Sequence, residues 1–356
     1  MKKLIVLSVV FALVASTAAF AVDLGGTVIN TVDLVKSDTG DDSTIDSGAS
    51  WNRLRIDGGG EAGEGKFGGY FRLDAVHWSG SAQYGGNAWW KPIDQLKLLV
   101  GNNGGDGFYG KEGNTGWMFY QTISDNGVGF GGDNVWGGSI YGFGVQSRDA
   151  FYGGDGGGDA LRLEIRPLDM LGINVNLPFF NGGEMSDVFK SAIFQLDLNL
   201  DFGNIALTYV GGEDGNVFVY YGGSFGDLGI DFGFHYDMAE DAPMGVGVGV
   251  KYATDAFGLK FRLIAKMAGG DKATKILADV LPNFSLGDNL TAFISVGIGM
   301  NMPDGEDSVL GWHFNPYLQV GEEWGAKFLV GIKVSSSGGD DAITKWSIPI
   351  ALSVGF

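Results

Sequence analysis

The sequence contains no cysteine, which excludes a disulfide framework, thiolate metal sites and a thiol nucleophile. Histidine is nearly absent too: His77, His235 and His313 are the only three, and neither a serine-nucleophile motif nor metal-ligand spacing accompanies them. Asp231, His235 and Asp237 share one strand face, and the polarity of that face accounts for them without catalysis. Beyond the first 21 residues no apolar run reaches 18 residues, so no transmembrane helix is expected. Basic residues are scarce as well. Lys and Arg number 23 against 42 Asp and Glu, a net charge of −19. Phosphate backbones need basic patches, so nucleic acid is excluded as a partner.

Glycine, by contrast, is abundant at 63 of 356 residues, far above its ordinary share of about 7%. In a helix each Gly costs about 1 kcal/mol relative to Ala, so helical architecture is disfavoured. The first residues form a separate unit. Lys2 and Lys3 precede an apolar stretch from Leu4 to Phe20, and Ala19-Phe20-Ala21 has the small-x-small form of a cleavage site. Residues 1–21 therefore read as a secretory signal peptide, leaving 22–356 as one domain.

Within that domain the dominant signal is period-2 alternation. Trp346, Ile348, Ile350, Leu352, Val354 and Phe356 occupy one face of the last segment, and Lys345, Ser347, Pro349, Ala351, Ser353 and Gly355 the other. Alternate side chains of a strand point to opposite faces, so each run is a strand with one apolar and one polar face. Similar runs are centred on 194–202, 228–236, 257–266, 310–320 and 327–334. They are about 10 to 13 residues long, and a tilted strand needs about 9 to 11 to cross a bilayer. Short turns such as Asp201-Phe202-Gly203-Asn204 alternate with longer polar loops, as in outer-membrane barrels.

Five such strands lie between Val22 and Gly101, and thirteen between Asp159 and Phe356. The expected fold is all-β: a transmembrane antiparallel barrel of about 18 strands, with 16 to 20 as the range. The range reflects residues 102–158, which are either one long loop after strand 5 or a loop hiding an extra hairpin. Closure is required, because an open edge in lipid leaves backbone groups unpaired at several kilocalories per mole each. Pro316 and Pro349 depart from the pattern, since proline removes a ladder donor.

The terminal strand carries a resemblance. Trp346, Ile348, Ile350, Leu352, Val354 and Phe356 match the closing strand of Gram-negative outer-membrane porins of the general-diffusion type. The resemblance implies an outer-membrane location in contact with lipid, assembly by the barrel-assembly machinery, and passive passage of small polar solutes or ions. Trimers are that family's habit, so it also raises a homotrimer. It places 102–158 where those proteins fold their longest loop into the lumen as a constriction. No cofactor or metal is implied. The alternatives are a barrel displaying an adhesive or ligand-binding surface and, more distantly, an outer-membrane enzyme.

Strand parity places most of the basic residues on the face opposite the apolar one. Arg53, Arg55, Arg72, Lys97, Arg162, Arg166, Lys260, Arg262, Lys266, Lys327 and Lys333 lie there as candidate pore-wall residues, with Lys91, Lys251 and Lys345 beside them. Asp57, Asp74, Glu164, Asp197, Asp201, Asp231 and Asp237 share that face. A basic wall facing acidic loops would set ion preference, although long basic side chains also snorkel at membrane borders. Trp51, Tyr84, Trp90, Trp312 and Trp346 lie near strand ends on the apolar face, as an interfacial girdle requires. Phe108, Tyr109, Trp117, Phe119, Tyr120 and Trp136 fall in the long loop, where packing explains them more simply than sugar binding.

Overall fold

The computed structural model describes residues 22–38, 44–76, 81–102, 160–178, 184–212, 215–238, 244–267, 274–302, 305, 307–321, 326–336 and 344–355. The expected signal peptide, the 103–159 segment and Phe356 lie outside the described residues. The described chain is almost entirely antiparallel sheet.

Nineteen strand segments form the sheet. The first five are β1 (Val22–Asp38), β2 (Thr44–Ala62), β3 (Phe67–Val76), β4 (Ser81–Ile93) and β5 (Leu96–Asn102). Next come β6 (Ala160–Leu168), β7 (Leu171–Pro178), β8 (Ile193–Leu200), β9 (Gly203–Val210), β10 (Asn216–Phe225) and β11 (Leu228–Asp237). The rest are β12 (Met244–Ala253), β13 (Phe257–Met267), β14 (Thr274–Gly287), β15 (Leu290–Met302), β16 (Val309–Gly321), β17 (Lys327–Gly331), β18 (Lys333–Ser336) and β19 (Thr344–Gly355). A short helix, α1 (Met185–Lys190), sits in the β7–β8 connection.

Segments pair with their sequence neighbours, and β1 closes the ring by pairing with β19 from Thr27↔Gly355 to Asp38↔Lys345. β17 and β18 both pair with β16 and with β19, so they are two halves of one wall strand interrupted at Ile332. Among the described residues eighteen strands therefore circle the barrel, within the expected range of 16 to 20. An even number lets the first and last strands close antiparallel.

Proline explains the interruption. Register places Pro316 opposite Ile332 and Pro349 opposite Gly331. On its other side Pro349 meets Asp33, where β1 shifts register. Both prolines thus sit at irregular positions, where the ladder tolerates a missing donor.

Turn lengths alternate around the ring. Two-residue turns at 94–95, 169–170, 201–202, 226–227 and 288–289 lie at one end of the wall. The β10–β11 turn begins at Gly226 with φ 62°, a conformation that costs a Gly little and that suits the twist of a tight hairpin. The other end carries most of the longer connections, α1 among them.

Burial in this wall is inverted relative to a water-soluble protein. On β16, Leu310, Phe314 and Val320 are 44–49% exposed, whereas His313 and Asn315 are 2% exposed. Soluble proteins bury the first set and expose the second. A barrel with an apolar outside and a polar inside fits lipid around it and a polar lumen within. The terminal strand behaves alike: Leu352 and Val354 face outward, and Ala351 and Ser353 are buried inside.

Candidate functional site: the inner wall

Three stretches of the inner wall differ in chemistry. On β2 and β3, register sets Arg55 opposite Asp74 and Asp57 opposite Arg72. Arg53 stands two residues before Arg55 in β2. Tyr70 donates its hydroxyl hydrogen to Asp57. Gly68 is opposite Trp89, whose ring occupies the space a Cβ would need.

From β4 to β10 the wall is polar but locally balanced. Lys97 Nζ is 3.7 Å from Glu164 Oε2, and Lys91 and Lys97 both lie over the Trp89 ring, at 5.0 and 5.2 Å from its centroid. Arg162 is buried and stands opposite Asn176. Asp197 is buried and accepts hydrogen bonds from Asn174 Nδ2 at 2.6 Å and from Gln195 Nε2. Gly172 is opposite Asp197, and the Asp197 carboxylate and the Arg166 guanidinium both lie close to it. Such satisfaction is required, because a buried charge without partners is costly.

From β11 to β19 the wall changes again. β12 presents only glycine at 245, 247 and 249, so its inner face is bare backbone opposite Lys266, Ile264 and Arg262. Over this bare strip Leu277 of β14 joins one buried cluster with Ala206, Phe218 and Tyr220 of β9 and β10. Next to it, Arg262 Nε donates to Asp279 Oδ2 at 2.8 Å, and both side chains are buried. Lys260 stands opposite Leu281 and Lys251. Lys327 pairs in register with Ser353, and Lys333 with Ser347. A second apolar cluster unites Leu281, Tyr317, Leu329 and Ala351, with Phe293 stacked on Tyr317 at 4.7 Å between centroids.

Asp279 went unrecognised in the sequence. Leu277 and Leu281 flank it on the same inner face, so β14 shows no clean alternation of apolar with polar. The ion pair matters because it takes Arg262 out of the freely acting basic charge of the wall. One further contact is chemically suggestive: Ser295 Oγ lies 3.1 Å from His313 Nε2, and His313 and Asp279 flank Gly297 in register. Ser295 has 0% exposure, so no substrate reaches its hydroxyl in this arrangement.

A closed antiparallel wall with an apolar outside and a largely polar inside is the feature that decides the comparison. The fold is a porin-like β-barrel. OccK11 (OpdR) of Pseudomonas aeruginosa matches with a TM-score of 0.56 at 10% identity, covering 95% of this chain and 97% of that one. The outer-membrane protein OpdK of Pseudomonas aeruginosa gives 0.55 at 9% identity, covering 94% and 99%. A mutant of Rh. blastica porin gives 0.50 at 11% identity, covering 94% and 100%. No family model matches the sequence, and neither does any curated protein.

Proposed function

We propose that this porin-like barrel is an outer-membrane porin, a passive diffusion channel for small polar solutes or ions. The inverted burial carries the reading: Leu, Phe and Val face outward, while Arg, Asn, Gln, Asp and His line the inside. A wall built this way is stable only with lipid outside, and its polar lining supports aqueous passage within. The matched structures of outer-membrane proteins, one of them a porin, support the same reading. Assembly follows from the terminal pattern Trp346 to Phe356, offered to the barrel-assembly machinery, and a homotrimer is the assembly we propose. The pore-wall set, from Arg53 and Arg55 through Lys327 and Lys333, supplies the basic lining.

The deciding experiment is planar-bilayer recording with the purified, folded barrel. A porin gives stepwise conductance in salt with no partner added. A barrel that serves only to display adhesive loops gives none, and that result would remove the channel reading.

A further inference from the structure

The charge balance along β4 to β6 leaves one cation over. Glu164 answers Lys97, but Lys91 has no carboxylate within ion-pair distance among the described residues. Its ammonium lies over the Trp89 ring instead, 5.0 Å from the centroid, and Lys97 approaches the same ring at 5.2 Å. A ring face attracts an ammonium only weakly where water reaches it. It also leaves the three N–H donors of the ammonium without an oxygen acceptor.

Register fixes the spot on the lumen side. Trp89, Leu99 and Arg162 are successive partners, as are Lys97, Glu164 and Asn174, and both rows run into the buried inner wall. Lys91 follows Trp89 by two residues and reaches back over its ring. Gly68 of β3 stands opposite Trp89 and has no side chain, so the indole lies against bare backbone as a platform. The Lys91 N–H donates to the Lys66 carbonyl at 2.7 Å and ties the end of β4 to the 63–66 turn. Unlike the arginines deeper in the wall, this group is open to water. Arg162 and Arg262 are 2% exposed, whereas Trp89 and Lys91 are half-buried and the Lys97 side chain is 26% exposed. The carboxylates nearby in sequence or register are Glu164, held by Lys97, and Glu61, Glu64 and Asp94, exposed at the turns.

We propose that Trp89, Lys91 and Lys97 form a subsite for inorganic phosphate at the tight-turn mouth of the channel. Two ammoniums on one platform act as point charges with rotatable donors, which suits a tetrahedral oxyanion. Planar carboxylates are better matched by the fixed fork of a guanidinium. Phosphate oxygens accept hydrogen bonds from the Lys91 and Lys97 Nζ groups, and Glu164 steadies Lys97 without neutralising Lys91. The inference rests on the channel reading above and assigns that channel a solute class.

Two measurements on the folded barrel test it. In planar bilayers bathed in 0.1 M KCl, where the Debye length is about 10 Å, added phosphate should lower single-channel current saturably. Lys91→Gln, checked for heat-modifiable mobility and for conductance in KCl alone, should raise the half-saturating phosphate concentration about tenfold, the fold-change of one charge-assisted hydrogen bond. Lys97→Gln should raise it at least as much, because it also leaves Glu164 free to repel the anion. Malonate, an anion with planar carboxylates, should need a higher concentration than phosphate. In detergent, phosphate should slow acylation of Lys91 by a water-soluble ester, read by peptide mass spectrometry, and this readout needs no conductance. A response that never saturates and is equal in wild type and Lys91→Gln overturns the subsite while the channel stands. Malonate acting as strongly as phosphate overturns the choice of anion. A folded wild type that conducts nothing overturns the channel reading, and acylation then decides the subsite: protection of Lys91 supports it, and no protection overturns it.

Discussion

Ile332 donates its N–H to the Pro316 carbonyl at 2.9 Å, and Pro316 has no N–H to return. Alternation along an antiparallel ladder then turns Gly331 toward Pro349, the other proline of the seam. Two consecutive wall carbonyls, those of Gly331 and Ile332, therefore face ring nitrogens that carry no hydrogen. In a membrane wall such groups have few alternative donors, and the strand breaks there into β17 and β18.

Restoring a donor should strengthen the seam. Pro316→Val keeps an apolar outward side chain and adds an N–H opposite Ile332. We expect an increase in stability of about 1 kcal/mol, the net value of one hydrogen bond, read as a higher urea midpoint for the folded barrel in detergent. A lower midpoint in Pro316→Val would show that the proline kink itself is needed.

The face assignment is tested on neighbouring residues of β16. Leu318 faces outward and is exposed, while Gln319 is buried on the inner wall. Leu318→Arg should lower refolding stability in lipid, by less than the about 2 to 4 kcal/mol of a midplane arginine, because Leu318 stands three residues from the end of β16. Gln319→Arg should escape that lipid penalty. Equal losses for the two variants in lipid, absent in a thin-shelled detergent, would refute the assignment.

Charge on the basic strip of β13 is tested at two kinds of position. Lys260→Gln together with Lys266→Gln should shift the reversal potential in a salt gradient toward cation preference. The shift should shrink at 1 M salt, where the Debye length is about 3 Å. Arg262→Gln should act on stability instead, because it leaves the buried Asp279 carboxylate without its partner; breaking such a pair costs about 3 to 5 kcal/mol. Adding Asp279→Asn to Arg262→Gln should recover much of the loss. A double variant no better than the single would deny the pairing.

Deletion of Phe356 tests the terminal signal. The last strand presents Trp346, Ile348, Ile350, Leu352 and Val354 at alternate positions leading to that aromatic residue. Expression of the deletion should yield much less folded, heat-modifiable barrel in outer membranes than the intact chain. An unchanged yield would separate this protein from porin-type assembly.

Alternation by itself determined where the strands run, their number to within 16 to 20, and the facing of residues such as Leu352, Ser353, Phe314 and His313. A strand's period of two is local, and turn residues such as Asp201-Phe202-Gly203-Asn204 punctuate it, so both can be read along the chain. Where lumen-facing residues are apolar, the signal fails. Leu277 and Leu281 hid Asp279 in this way, and Leu329 sits inside the wall although its residue type suggests the outside. Neighbours across the ladder were decided only by the closed sheet. Parity says that Arg262, Gln195 and Pro316 have facing partners, but register alone makes those partners Asp279, Thr208 and Ile332. Register depends on the pairing of whole strands with one another, and a residue's own sequence neighbours carry too little information to specify it.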